Sequence, residues 1–264
     1  MNWFGDLNPI LQALIATTFT WGITLLGALM VCFFKEVNKK ALNTILGFSA
    51  GVMIAASFWS LLLPSIELSE ELGYIAWGLP ALGFIFGGLF VLLSDKFLDK
   101  TLSDKNSIKK DSLKRSILLV SAITLHNIPE GMSIGVAFGG ISSGVSGMTL
   151  IGAIMLAIGI GIQNFPEGAA VSLPLRKEGF SRKKSFFIGQ ASALVEPISA
   201  VIGVILVLAV RSILPILLSF AAGAMITVAG RELLPESISE NKNLSTLGLI
   251  SGFVLMMVLD VALG

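Results

Sequence analysis

Charge is what this sequence has least of. Only 13% of its 264 residues are Asp, Glu, Lys or Arg, about half the roughly 25% of an ordinary soluble domain. A soluble globule of this length could not cover its surface with so few charges. The same composition excludes a disordered chain, a collagen and a coiled coil. The formal net charge is +1, so no basic excess marks a nucleic-acid partner. The single cysteine, Cys32, excludes an internal disulfide and any CxxC metal site. It lies in an apolar run and reads as a small buried hydrophobe. No basic residue precedes Lys35, which follows the first apolar run, so no cleavable targeting segment is read. Period-2 alternation is also missing, which argues against a β-barrel.

What the chain has instead is length in apolar runs. Hydrophobic residues make up 54%, and mean hydropathy is +0.88. The fold class expected is an all-α polytopic membrane protein. Stretches of about 20 apolar residues are long enough to cross a bilayer. They place eight transmembrane helices at 9–33, 41–64, 74–94, 116–140, 147–174, 185–210, 213–234 and 244–263, in one domain over residues 1–264. The longest hydrophilic stretch, 95–115, reads as a solvated cytoplasmic loop.

Basic residues set the orientation. Every Lys and Arg except Arg211 falls on the side that holds the segments after spans 1, 3, 5 and 7. That side is expected to be cytoplasmic. Both termini, and the acidic segment with Glu67, Glu70 and Glu71, are then extracytoplasmic, in a plasma (inner) membrane.

Two internal similarities organise the spans. Phe48-Ser-Ala-Gly-Val-Met-Ile54, followed by Leu61-Leu-Leu-Pro64, matches Phe220-Ala-Ala-Gly-Ala-Met-Ile226, followed by Glu232-Leu-Leu-Pro235. The two runs point in opposite directions, the mark of an inverted repeat; a shared small-residue packing motif is the other reading. His126-Asn-Ile-Pro-Glu-Gly131 and Gln163-Asn-Phe-Pro-Glu-Gly168 lie mid-span on the adjacent, antiparallel spans 4 and 5. The scheme is three helices, a central pair, then three helices: a 3+2+3 inverted repeat. Inverted repeats of this kind place a substrate site near the midplane, on interrupted helices.

Glu130, Glu167 and Glu196 lie deep in apolar spans, and no intramembrane Lys or Arg is there to neutralise them. A lone carboxylate at that depth costs several kcal/mol. Three of them must be protonated, face water, or bind cations. His126 and Glu130, four residues apart, share a helix face, with Asn127 at its edge. Gln163, Asn164 and Glu167 repeat that arrangement. Pro129, Pro166 and Pro197 lack N–H groups and are expected to free the carbonyls of Leu125, Ile162 and Ala193. His126 is the one histidine. It reads as a metal ligand, against the alternatives of packing or proton relay. Imidazole with carboxylate and amide oxygens suits zinc, iron, manganese or cadmium in the divalent state better than calcium or magnesium. Met53 either packs or adds a soft thioether.

The doubled motif, with Val195-Glu-Pro197 in span 6, resembles the ZIP (Zrt/Irt-like) divalent metal transporters. Gly51-Val-Met-Ile-Ala-Ala-Ser57 and Trp59-Ser-Leu-Leu-Leu-Pro64 are similar to the bacterial GufA-like branch. The resemblance covers nearly the whole chain. It implies a transporter rather than an enzyme, working by alternating access, with two transported ions per protomer at the midplane. By matching positions, the first ion meets Met53, His126, Glu130, Gln163 and Glu167. The second meets Asn127, Glu130, Glu167 and Glu196. Spans 1, 4, 5 and 6 would move as an elevator against spans 2, 3, 7 and 8, which also form a homodimer surface. Ser60, Glu67 and Asp260 would stand at the entrance and Glu232 on the exit path. Asn164 departs from the pattern, since many relatives carry aspartate there, and Gln163 replaces a frequent histidine. An amide at 164 removes one negative charge and so weakens or removes the second ion.

Two other functions compete with transport of metal. A membrane zinc protease needs a His-Glu-x-x-His pair, which one histidine cannot supply; an open three-ligand zinc hydrolase remains as the alternative enzyme. A proton-coupled organic solute carrier would need a pocket for an organic group, and no motif marks one.

Overall fold

Within a bilayer, backbone N–H and C=O groups find no water, so each spanning segment must satisfy its own hydrogen bonds as a helix. The computed structural model describes residues 2–33, 39–102, 108–144, 148–209, 211–239 and 241–263, and among them every regular element is helical. The order is α1 (Asn2–Gly5), α2 (Pro9–Phe33), α3 (Lys39–Ala56), α4 (Leu63–Glu71), α5 (Gly78–Leu102), α6 (Ile108–Ser142), α7 (Leu150–Lys177), α8 (Arg182–Ala191), α9 (Val195–Ala209), α10 (Leu214–Val228), α11 (Leu234–Ser237) and α12 (Lys242–Val258). Six helical stretches are long and apolar enough to cross a membrane: Pro9–Phe33, Asn43–Glu71, Leu150–Arg176, Arg182–Ala209, Leu214–Ser237 and Lys242–Ala262. Gly78–Ser94 is a shorter apolar helix. The protein is an all-α, multi-pass membrane protein.

Its surface is the reverse of a soluble protein's. Ile198, Ile202, Ile205 and Leu208 of α9 are exposed, as are Leu82, Ile85, Phe86, Leu89 and Leu93 of α5. On α2 the buried face carries Gln12, Thr17, Thr20 and Thr24, while Leu11, Ile15, Phe19 and Leu26 face outward. Lipid removes the drive to hide apolar side chains, so large apolar residues stand outside as well as within, where Leu61, Phe138 and Ile160 are buried beside polar and small residues.

Small residues decide which helices meet. A side chain on Gly27 would strike the Phe165 carbonyl, and one on Gly168 the Thr24 carbonyl, so α2 and α7 lie backbone to backbone. Gly131 and Gly135 hold α6 equally close to Glu196 and Ala200 of α9. Gly47 and Gly51 of α3, with Gly248 and Gly252 of α12, form a third such pair; Gly83 and Gly87 of α5, with Gly223 of α10, form a fourth. The first two pairs join into one group through α2–α6, α2–α9 and α6–α7 contacts. The other two join through α3, α4 and the neighbouring turns against α10. The groups meet along α3–α7 and α6–α10.

Several helix boundaries differ from those read in the sequence. The second and seventh spans were expected to end near Pro64 and just before Pro235, yet the chain stays helical to Glu71 and Ser237. Proline lacks an N–H and its ring collides with the carbonyl four residues back. The chain passes each one on a widened π turn, Ser57–Leu62 and Ala229–Leu233. The residue just before each proline makes a five-residue bond: Leu63 N–H to the Phe58 carbonyl and Leu234 N–H to the Ala229 carbonyl. The Pro-Glu-Gly motifs were expected to interrupt their helices. Instead α6 runs through Pro129, and α7 through Pro166 and Pro174. The break falls at 192–194, between α8 and α9. There the Ala193 carbonyl is not free; it accepts from the Glu196 N–H at 3.1 Å. Helix also covers both shoulders of the hydrophilic stretch 95–115, to Leu102 and from Ile108, with 103–107 outside the described residues.

The backbone contacts at glycine carry a prediction. Gly87→Val pushes a branched side chain into the Phe220 carbonyl and should destabilise the detergent-solubilised protein by about 1–3 kcal/mol, the usual cost of overpacking. Gly22 has open space around it, so Gly22→Ala should leave stability unchanged or raise it by up to about 1 kcal/mol through helix propensity. Thermal unfolding of both variants reads the difference; equal losses would refute the close-packing account.

Candidate functional site

The close approach of α6 to α9 and of α2 to α7 brings four helices around one buried polar cluster. Glu130 and Glu196 are fully buried, and Glu167 is 6% exposed. Asn127, Gln163 and Asn164 are buried with them. Glu130 lies near enough to Glu167 and Glu196 for their charges to interact. The i, i+3 and i+4 spacing turns these side chains inward on α6 and α7. Gly131 and Gly168, each next to a glutamate, let the neighbouring backbone close in behind it.

The hydrogen bonds divide the cluster in two. Gln163 Nε2 donates to Glu130 Oε1 at 2.5 Å. Asn164 Nδ2 donates to Glu196 Oε1 at 2.8 Å, and the Thr20 hydroxyl donates to Glu196 Oε2. Asn164 Nδ2 also reaches the Thr20 carbonyl at 3.5 Å. Asn127 Nδ2 turns to the Ser192 carbonyl, 3.0 Å away, at the break before α9. From the other helix group, the Ser49 hydroxyl donates to the Gln163 carbonyl at 3.4 Å. Met53, one turn further along α3, is fully buried.

Five oxygens in this cluster are buried and have no hydrogen-bond donor among the described residues: Asn127 Oδ1, Glu130 Oε2, Gln163 Oε1, Asn164 Oδ1 and Glu167 Oε2. Buried polar atoms in native proteins are nearly always paired, and all five are acceptors. Such a set can hold a cation. Among the described residues, no group of three His, Cys, Asp and Glu side chains is arranged to hold a metal ion. That does not count amide oxygens, which supply three of the five acceptors. His126 stands one turn before Glu130 on α6; its side chain lies outside the described residues.

The residues expected at the two ends of the path lie apart from this cluster. Ser60, Glu67 and Asp260 line one cavity of about 290 Å³, together with Trp59, Met148 and Thr149. The Ser60 hydroxyl donates to Asp260 Oδ1 at 2.7 Å, while Asp260 Oδ2 is buried without a donor among the described residues. Glu232 is half-buried on the π turn Ala229–Leu233, beside exposed Arg231.

Sequence reasoning missed Thr20 and the Ser192 carbonyl. Thr17, Thr20 and Thr24 recur at i, i+3 and i+7 in a run that is apolar but for Thr18 and glycine. That polar stripe on one face of the first span was a usable signal. The Ser192 carbonyl had none, because the helix break that presents it depends on how α8 and α9 pack.

The chain is also similar to known proteins over most of its length. The family model described as ZIP Zinc transporter matches residues 100–260. The chain is 38% identical to "Zinc transporter ZIP11" of Homo sapiens, over 97% of this chain and 98% of the relative. It is 34% identical to "Zinc transporter GufA" of Myxococcus xanthus, over 95% and 98%. It is 36% identical to "Zinc transporter ZIPB" of Bordetella bronchiseptica, over 91% and 78%. A family match over more than half the chain, with near full-length relatives above 30% identity, leaves one conclusion: the chain belongs to the ZIP zinc transporter family, a family of transporters rather than enzymes.

Proposed function

We propose that this protein moves divalent transition metals, zinc foremost, into the cytoplasm by alternating access, with the cluster around Glu130 and Glu167 as the site that holds the ion in transit. The observation that carries this reading is the set of five buried acceptor oxygens without donors among the described residues, on the residues of the paired Pro-Glu-Gly motifs. His126 completes that set with a nitrogen ligand. Imidazole with oxygen ligands suits zinc and cadmium, and admits iron and manganese. A second ion, on Asn127, Glu130, Glu167 and Glu196, requires Glu196 to leave Thr20 and Asn164.

The packing supports eight spans in a 3+2+3 inverted repeat. In span order the backbone-close pairs are one with five, four with six, two with eight, and three with seven. Exchanging spans 1, 2, 3 and 4 with 6, 7, 8 and 5 maps this set of pairs onto itself. The two proline-linked π turns fall on spans 2 and 7, which exchange with each other. The polar cluster is built from α2, α6, α7 and α9, the proposed moving unit. The cavity with Ser60 and Asp260 also touches Ala137, Gly152 and Leu156 of that unit, so it lies where an elevator would slide against its scaffold. Ser60, Glu67 and Asp260 serve as the entrance and Glu232 as the exit. Basic residues place the α2–α3, α5–α6 and α7–α8 connections in the cytoplasm, with both termini outside the inner membrane. The scaffold spans form a homodimer surface, for which α5 offers an apolar outer face.

Uptake of radioactive zinc, cadmium, manganese and iron into proteoliposomes, run in parallel, tests the reading. Glu130→Ala removes a ligand and half the charge of the Glu130–Glu167 pair, so uptake should fall to the rate of empty vesicles at equal protein load. Near wild-type transport by this variant would reject the central site. His126→Ala should weaken zinc and cadmium about tenfold more than manganese, because nitrogen ligands favour the later and softer metals. A uniform loss over the four metals would assign His126 to packing or to a proton relay.

A further inference from the structure

The three buried glutamates are not equivalent. Glu130 keeps Oε2 free of donors and Glu167 keeps Oε2 free, but both oxygens of Glu196 are taken, one by the Thr20 hydroxyl and one by the Asn164 amide. The two donors come from different helices, α2 and α7, and Asn164 is also tied to the Thr20 carbonyl at 3.5 Å. The backbone of Glu196 is held as well. Its carbonyl accepts from the Ser199 hydroxyl at 3.1 Å, and Gly131 of α6 leaves no room for even a Cβ against it. From this geometry we infer that Thr20 and Asn164 form a clamp that keeps Glu196 away from the ion, so that the central site holds one divalent ion per protomer and the second position is closed.

The inference rests on the proposed central site and specifies its stoichiometry. Chemistry at position 164 matches the clamp. An amide donates through Nδ2 to Glu196 while its Oδ1 stays without a donor among the described residues; an ionised carboxylate there has no proton to donate. Charge points the same way. Glu130 and Glu167 together neutralise one divalent ion. A second ion would bring two more positive charges against the single carboxylate of Glu196, which is already engaged. Thr20 touches no transported ion in this account and acts as a positioning residue, through Glu196 alone.

Zinc binding to the purified, detergent-solubilised protein, by calorimetry and by metal analysis after desalting, tests the clamp. Wild type should bind one ion per protomer. Thr20→Val keeps the side-chain shape but removes the hydroxyl, releasing one Glu196 oxygen, and should bind two. Thr20→Ser restores the hydroxyl and should return to one, which a purely packing role for Thr20 would not require. Two ions in wild type, or one in Thr20→Val, overturns the clamp. If Thr20→Val does not fold, Thr20→Ala with the wild-type stoichiometry gives the same decision. Glu130→Ala separates the two levels. Wild-type zinc binding in that variant would refute the central site itself, whereas loss of binding there with equal stoichiometry in wild type and Thr20→Val would refute the clamp alone.

Discussion

A carboxylate taken out of water loses hydration worth several kcal/mol even after the protein relaxes around it, and this chain buries three in a cluster that no lysine or arginine joins among the described residues. The debt has to be met by hydrogen-bond donors or by a cation. Glu196 is met by donors, from Thr20 and Asn164. Glu130 is met in part, by Gln163. Glu167 and the remaining amide oxygens keep acceptors with no donor among the described residues, and the proposed transport site is what that remainder amounts to physically. Other features of the interior serve the same constraint. Thr17, Thr20 and Thr24 face inward on α2 while Leu11 and Leu26 face out. Glycines stand beside Glu130 and Glu167 so that neighbouring helices can close over them.

Because lipid is as apolar as leucine, burial of greasy side chains cannot hold these helices together; close backbone contact at small residues does. The backbone contacts group the helices into two bundles; the glutamates and amides of the polar cluster lie on helices of one, and Ser49 of the other bonds to the Gln163 carbonyl. The bonds that Glu130 and Glu196 make to Gln163, Asn164 and Thr20 lie within that bundle and can move with it, while the Ser49 bond would break. The cavity with Ser60 and Asp260 lies instead where the bundles meet, so relative motion would reshape it. This division gives the proposed alternating access its mechanical basis. The π turns at Pro64 and Pro235 let each helix continue past a residue that would otherwise end it.

Much of this was legible in the residues alone. Composition settled the class, because so few charges leave no soluble alternative. Apolar run lengths located the six helical stretches long enough to cross a membrane, to the residue for Pro9–Phe33. The Pro-Glu-Gly pair identified the residues that now share one buried cluster, since i, i+3 and i+4 spacing fixes which side chains face together on a helix. Helix ends at prolines were misplaced for a specific reason. Proline's missing N–H is visible in the sequence, but whether the chain breaks, kinks or widens depends on what the neighbouring helices can support.

The amino-acid sequence by itself determined the membrane-embedded helical class and the polar residues at its centre, which follow from hydropathy and local spacing, and its motifs carried the resemblance to the family. Only the tertiary structure decided how those residues are used. That Glu196 is tied to Thr20 on the first long helix, 176 positions away, follows from α2 and α9 being brought side by side, and no local pattern encodes that distance. The same holds for Asn127, which turns to the Ser192 carbonyl because α8 breaks before α9. Hydrogen-bond partners at a buried site are chosen by geometry across helices, and that geometry exists only once the backbone contacts at glycine have closed.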